Sequence, residues 1–423
     1  MPLALQWMMM ALEVPFLAAV VGQLPEPAFN LAAFGVAYAF AILVESPVIM
    51  LMSAATALVV DADSYRKLQR FAWALNLGAT ALLLMVLVPP VFDALMRTAM
   101  RLPDAVADIT YGALWLLLPW PAAIGYRRFL HGVLIAAGHT RRVAYGTGVR
   151  LITMAGTAFL LSSSDMPGVW VAASSLSAGV LAEALVSAVM AAGSVREVKQ
   201  RVQPDTRLPL RYGSIARFYY PLALTSFIGF STKPLLTFFM GRSPAPVESL
   251  ALYPVVVALV FLFGTMGLSF QEAAIALVGR HLEHVRAMRQ FAMWLALAAS
   301  GCLATIAFTP LADAWFGRVS GLPPELVALA RTPVRIAVLM PLLSVALSFH
   351  RALLVQVRRT RPITVATVIE VGGIAVLFPL FGWGLGLMGV TAAMAAQLGG
   401  RALGVGFLTW QVRRTVAELA AER

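Results

Sequence analysis

Pro2-Leu3-Ala4-Leu5 returns in the second half of the chain as Pro221-Leu222-Ala223-Leu224, and the repetition continues outward from there. Residues 2–59 align without a gap onto 221–278, with 19 identities in 58 positions. Pro15 meets Pro234, Gly22 meets Gly241, and Pro25 and Pro27 meet Pro244 and Pro246. Ala54, Ala55, Ala57, Leu58 and Val59 meet Ala273, Ala274, Ala276, Leu277 and Val278. With a one-residue shift the match goes on. Phe71 meets Phe291, Asp93 meets Asp313, Leu102-Pro103 meets Leu322-Pro323, Pro121 meets Pro341, and Thr140-Arg141 meets Thr360-Arg361. Shared apolar composition does not by itself align prolines and glycines over a gapless run, so the chain reads as a duplication.

What is duplicated is apolar. Of 423 residues, 60% are hydrophobic and 12% are charged, about half the charged share of a soluble domain. That excludes a soluble enzyme, a nucleic-acid binder and a disordered chain. Apolar runs of twenty or more residues point to spanning helices rather than strands. Twelve such segments are read, near 3–24, 30–60, 71–97, 108–137, 146–164, 169–193, 217–241, 248–279, 290–316, 324–357, 363–383 and 386–412. The expected fold is an all-α integral membrane protein with twelve transmembrane helices in two six-helix repeats. Six is even, so both repeats have the same orientation, as in transporters built on an axis along the membrane normal. Residues 1–193 form one half, 194–216 a basic cytoplasmic linker, 217–412 the other half and 413–423 a tail. The lone cysteine, Cys302, permits no internal disulfide.

The basic residues give the topology. Twenty of 32 fall in alternate loops: 66–70, 141–142, 196–217, 280–289, 358–361 and 413–423. The other loops hold four, Arg97, Arg101, Arg242 and Arg318. The positive-inside rule places the first set, and both termini, in the cytoplasm of a cell (inner) membrane. The first apolar stretch reads as a retained helix. The net charge of +12 therefore reports orientation, not nucleic acid.

Charges inside spans cost on the order of 3 kcal/mol each at the bilayer centre, so they face a cavity or a partner. Lys233 is the one lysine within a span, and it precedes Pro234. Glu13 aligns with Thr232, at nearly the same depth in the equivalent helix. The pair reads as a cavity-lining gate or as a static salt bridge between the halves. Glu45 and Glu272, in the second and eighth spans, read as coupling carboxylates or as packing groups. Arg127, Arg128 and His131 in the fourth span recur as His350 and Arg351 in the tenth. They read as a positive vestibule for an anion, guanidinium forks suiting phosphate or carboxylate, or as side chains snorkelling to the cytoplasmic surface. Arg150, Glu183, Glu370 and Arg401 read as structural pairs within each half.

No phosphate-binding loop motif is present, so no ATP-driven pump is encoded. His281, Glu283 and His284 match no metal-site spacing. No catalytic residue, metal or cofactor is expected.

One stretch carries a resemblance. Phe218-Tyr219-Tyr220-Pro221-Leu222-Ala223-Leu224, then Ser231-Thr232-Lys233-Pro234-Leu235, Phe239, Arg242, Tyr253-Pro254 and Glu272 resemble the progressive ankylosis protein family. The two-times-six architecture resembles the wider multidrug/oligosaccharidyl-lipid/polysaccharide exporter superfamily, which implies a MATE-like fold. The resemblance implies an alternating-access exporter of small anions of the pyrophosphate, ATP or citrate class. Lys233 and Glu272 are the positions it transfers. Its partners are the bilayer, the anion and a coupling proton or sodium ion, and a monomer is expected. The rivals are a drug or organic-cation antiporter using Glu13 and Glu45, and a lipid-linked saccharide flippase. Flippases often carry two further helices, which this chain lacks. From other classes come a membrane-embedded transferase and a non-transporting scaffold.

Overall fold

A computed structural model describes residues 9–201, 210–278, 284–357 and 359–421, with the side chains of Glu272, Ala276, Val416 and 419–421 outside the description. The described residues form helices and their connections, without strands. In order these are α1 (Glu13–Gly22), α2 (Pro27–Ile49), α3 (Leu51–Leu58), α4 (Ala62–Val86), α5 (Asp104–Leu116), α6 (Trp120–Ala136), α7 (Thr140–Leu161) and α8 (Gly168–Gln200). Then come α9 (Tyr212–Met240), α10 (Pro246–Leu277), α11 (Val285–Phe308), α12 (Pro324–Ile336), α13 (Met340–Gln356), α14 (Arg361–Pro379) and α15 (Gly389–Ala421). Taking α2 with α3 and α12 with α13 as continuous stretches, eight helices among the described residues are long and apolar enough to cross a membrane.

Local chemistry explains the boundaries. Asp61 caps α4 by accepting the Ser64 amide at 2.8 Å, while the Ser64 hydroxyl accepts the Asp61 amide at 3.0 Å. Pro27, Pro246 and Pro324 sit in first turns, where a missing N–H removes no bond. The residues before two of them, Glu26 and Ala245, are left-handed, with φ of 51° and 50°. Wide π turns close Ala94–Ala99 and Ala314–Val319. Each follows an aspartate that pairs with arginine. Asp93 joins Arg97 at 2.9 Å, and Arg97 also holds Asp104 and Asp108. Asp313 holds Arg331 through two bonds of 2.9 and 2.7 Å, which lowers its proton affinity.

Pro47 deprives the Leu43 carbonyl of its helical donor, and the Ser46 hydroxyl donates to that oxygen at 2.7 Å. The helix then breaks at Met50, so the second apolar run is α2 and α3. The fourth run is also two helices. Pro119 and Pro121 flank the start of α6, and residues 117–119 form a turn. The basic segment 194–216 is not all linker. α8 runs on to Gln200 and α9 starts at Tyr212, because charged residues such as Arg196 and Lys199 are good helix formers once outside an apolar environment.

The chain divides into two compact units, one of Met9 and Met10 with the described residues of Leu24–Pro234, the other of Ala11–Gln23 with the described residues of Leu235–Arg423. α1 thus belongs to the second unit, and α9 as far as Pro234 to the first.

A candidate anion site in the first unit

α6 is the centre of the first unit. Thirteen of its 17 residues are buried. Two glycines make that density feasible. A Cβ on Gly125 would lie 1.8 Å from the Asn76 side-chain oxygen of α4, and one on Gly132 would lie 2.4 Å from the Met52 carbonyl of α3. Arg127, Arg128 and His131 are therefore enclosed, at 1%, 6% and 0% exposure, and do not reach a surface.

They diverge to two sides. Arg127 and His131, four residues apart, face α8, where Glu183 and Ser187 have the same spacing. Arg127 Nη1 donates to Glu183 Oε2 at 2.6 Å, and His131 Nε2 lies 3.0 Å from Ser187 Oγ. From α7, Thr147 donates to Glu183 Oε1 at 3.2 Å and Arg150 Nη1 stands 3.8 Å from Oε2. His131 Nε2 is 3.9 Å from Oε1. Glu183, wholly buried, thus gathers two guanidinium groups, a hydroxyl and an imidazole.

Arg128 turns the other way, onto α2 and α3. Its Nη1 contacts the Met52 sulfur at 3.7 Å, and its Nε has no hydrogen-bond partner. A thioether is a weak acceptor, so among the described residues this buried cation meets no oxygen. Tyr38 touches Trp120 at 5.9 Å between ring centres. Tyr38 and Glu45, seven residues apart on α2, share a face of that helix. Tyr38 meets α6 at Trp120, Met52 of α3 meets it at Arg128, and Glu45 lies between the two along the chain, on the α2 face that Tyr38 turns to α6. Glu45 is 6% exposed, and its Oε2 has no hydrogen-bond partner among the described residues. The positive charges acting on it, strongest first, are Arg150, Arg128, Arg127 and Lys233. Trp120 Nε1 is also buried without an acceptor. Lys233, on α9, lies with its ammonium 4.4 Å above the Tyr38 ring. Buried polar atoms are nearly always paired, so three open ones along one seam mark a place for a polar occupant.

The second unit is better satisfied. Arg401 Nε joins Glu370 Oε1 at 2.5 Å and donates from Nη1 to Ser344 at 3.1 Å. Arg351 donates to Thr367 at 3.4 Å, with its Nε open. His350 donates from Nδ1 to the Ala346 carbonyl at 2.6 Å, and its Nε2 is 3.3 Å from Thr409 Oγ1. Glu13 is buried at the start of α1, which belongs to the second unit, and Lys233 belongs to the first. The side chain of Glu272 and residues His281 and Glu283 lie outside the described residues. Among those described, no group of three or more His, Cys, Asp or Glu could hold a metal ion.

Sequence reading set Arg127, Arg128 and His131 beside His350 and Arg351, Glu45 beside Glu272, and Lys233 beside Glu13; of these, Arg127, Arg128, His131, Glu45 and Lys233 belong to the first unit. It missed that Glu183 closes on Arg127 and that Tyr38, Met52 and Trp120 complete the seam. The matched spacing of Arg127/His131 and Glu183/Ser187 was the available signal for the first of these.

A scan against protein-family models gives no match, and a search of curated proteins gives none either. Solved structures do match. An inward-facing multidrug resistance MATE family transporter of the MOP superfamily has a TM-score of 0.75 at 14% identity, covering 98% of this chain and 96% of that one. The lipid II flippase MurJ in an inward closed conformation has 0.70 at 12%, covering 95% and 85%. A MOP superfamily transporter from Pyrococcus furiosus, described by a binding pocket of reverse polarity that suggests a different function, has 0.60 at 16%, covering 99% and 95%. At such identities the likeness establishes architecture, and this chain has the fold of the MATE-type transporters.

Proposed function

We propose that the protein is a twelve-pass, alternating-access transporter of small anions, of the pyrophosphate, ATP or citrate class, in a cell (inner) membrane with both termini cytoplasmic. The observation that carries the anionic cargo is Arg128, buried in the first unit with a thioether as its one hydrogen-bond contact among the described residues. A guanidinium enclosed without an oxygen acceptor is costly unless a ligand completes it. The resemblance of the 218–242 stretch to the progressive ankylosis family supports the same reading.

The two six-helix repeats draw support from backbone detail that side chains do not share. Glu26 and Ala245, 219 residues apart, are both left-handed before a proline. The π turns, the 117–119 and Ala337–Leu339 breaks, and the starts of α6 and α13 each recur after 220 residues. Arg101 and Gly321, at the same offset, both have positive φ.

Uptake of pyrophosphate, ATP, citrate and a cationic dye into proteoliposomes tests the proposal. Anion uptake that falls at least tenfold in Arg128→Gln supports it. Dye uptake alone, unaffected by that change, would replace it with the organic-cation reading, which the open Glu45 carboxylate favours.

A further inference from the structure

The seam between α2–α3 and α6 holds open groups of both signs. Arg128 offers an uncompleted guanidinium, Glu45 an unpartnered carboxylate oxygen, and Trp120 an unpartnered N–H, all nine-tenths or more buried. No hydrogen bond among the described residues joins Arg128 to Glu45, although each acts electrostatically on the other. Of the other cations near Glu45, Arg127 is held by Glu183, with Arg150 beside the same carboxylate, and Lys233 rests on the Tyr38 ring.

A simple anion bound by Arg128 brings its negative charge up to Glu45. Two like charges in an enclosed, weakly screened place repel strongly. A cargo that also carries a cationic group removes that conflict, since its cation meets Glu45 while its anion meets Arg128. It also enters the buried seam with little net charge, which lowers the desolvation penalty. The wall beyond Glu45 suits such a group. Tyr38 already holds one ammonium by its face, with Trp120 beside it, and aromatic faces attract cations.

We infer that the seam lined by Arg128, Glu45 and Trp120 is a zwitterion site, taking a small molecule that joins a phosphate or carboxylate to an amine or quaternary ammonium. This deepens the anionic reading of Arg128 and rests on it.

The experiment is calorimetric binding to the purified full-length protein in detergent, with phosphoethanolamine, inorganic phosphate and ethanolamine as probes. Wild type should bind phosphoethanolamine at least tenfold more tightly than phosphate or ethanolamine. Glu45→Gln is the decisive variant, because the two readings give it opposite signs. On the zwitterion reading it weakens phosphoethanolamine about tenfold and strengthens phosphate, since it removes both an ammonium partner and a repulsion. Equal wild-type affinity for phosphate and phosphoethanolamine, or a Glu45→Gln variant that strengthens both, overturns the zwitterion site and leaves an anion site. The latter outcome points to a proton on Glu45 accompanying a plain anion. Binding of neither phosphate compound overturns it too, and binding of both that Arg128→Gln leaves unchanged removes the anion reading with it. Native circular dichroism and monodisperse elution check that each variant is folded.

Discussion

Replacing Glu183 with glutamine keeps shape and one acceptor but deletes the charge around which the first unit closes. In the folded protein that carboxylate takes a 2.6 Å bond from Arg127 and a 3.2 Å bond from Thr147, with Arg150 at 3.8 Å and His131 at 3.9 Å. The four side chains of the Arg127, Arg150, His131 and Glu183 group are at most 4% exposed, so water cannot take over the lost role. Removing one partner of a buried ion pair costs about 3–5 kcal/mol, because the other charge stays buried. Glutamine can still accept from Arg127, which places the expected loss near the lower end, about 3 kcal/mol. The assay is reversible unfolding in mixed micelles. The double variant Arg127→Met/Glu183→Leu removes both charges and fills similar volume, and should be more stable than Glu183→Gln alone. A Glu183→Gln loss below about 1 kcal/mol, or a double variant whose loss is the sum of the single ones, would refute the view that this pair organises the unit.

Lys233→Ala should abolish anion uptake at matched membrane expression while Lys233→Arg retains part of it, and full uptake by the alanine variant would make the lysine structural. In a Cys302→Ser background, Asp205→Cys should be labelled by an impermeant maleimide from the cytoplasmic side alone, and labelling from outside in intact cells would overturn the topology. Beyond the spans, Glu418 is held by Arg359 and by Arg414 at 3.0 Å, which sets its proton affinity below the ordinary 4.5. A carboxylate with a depressed folded-state pKa stabilises above its unfolded value and loses that contribution as pH falls through the folded one. A spin label on Thr360→Cys should therefore gain mobility below about pH 4 and not between pH 6 and 8, whereas mobility unchanged at acid pH would make the contact incidental.

The local breaks in the backbone are legible because prolines and glycines fix it whatever surrounds them. Pro27 and Pro246 start helices, and Pro119 and Pro121 break one, by local chemistry alone. Pairing is different. Arg127 reads equally well as a snorkelling residue, a cavity residue or an ion-pair partner. What decides among these is that Gly125 and Gly132 admit α4 and α3 hard against α6, a tertiary fact. Glu45 was visible as an intramembrane carboxylate, but its place between Tyr38 and Met52 acquires meaning only once both touch the same helix. Charge marks a segment as basic without saying whether it is helical, and α8 carries its helix through Arg196 and Lys199 to Gln200.

The spacing between Arg127 and Glu183 also bears on how the protein is made. Fifty-six residues separate the guanidinium from its carboxylate. At ordinary synthesis rates of 5–20 residues per second, roughly 3–11 seconds pass between the emergence of one and of the other. During that interval α6 holds two arginines and a histidine with no counter-charge from α8, and free partition into lipid would cost about 3 kcal/mol for each arginine. On the twelve-pass reading, α6 must wait beside the insertion machinery until α8 arrives, and the two must leave for the bilayer together. Their order of insertion would then follow charge rather than chain order, with the arginine-bearing segment released by one that is translated later.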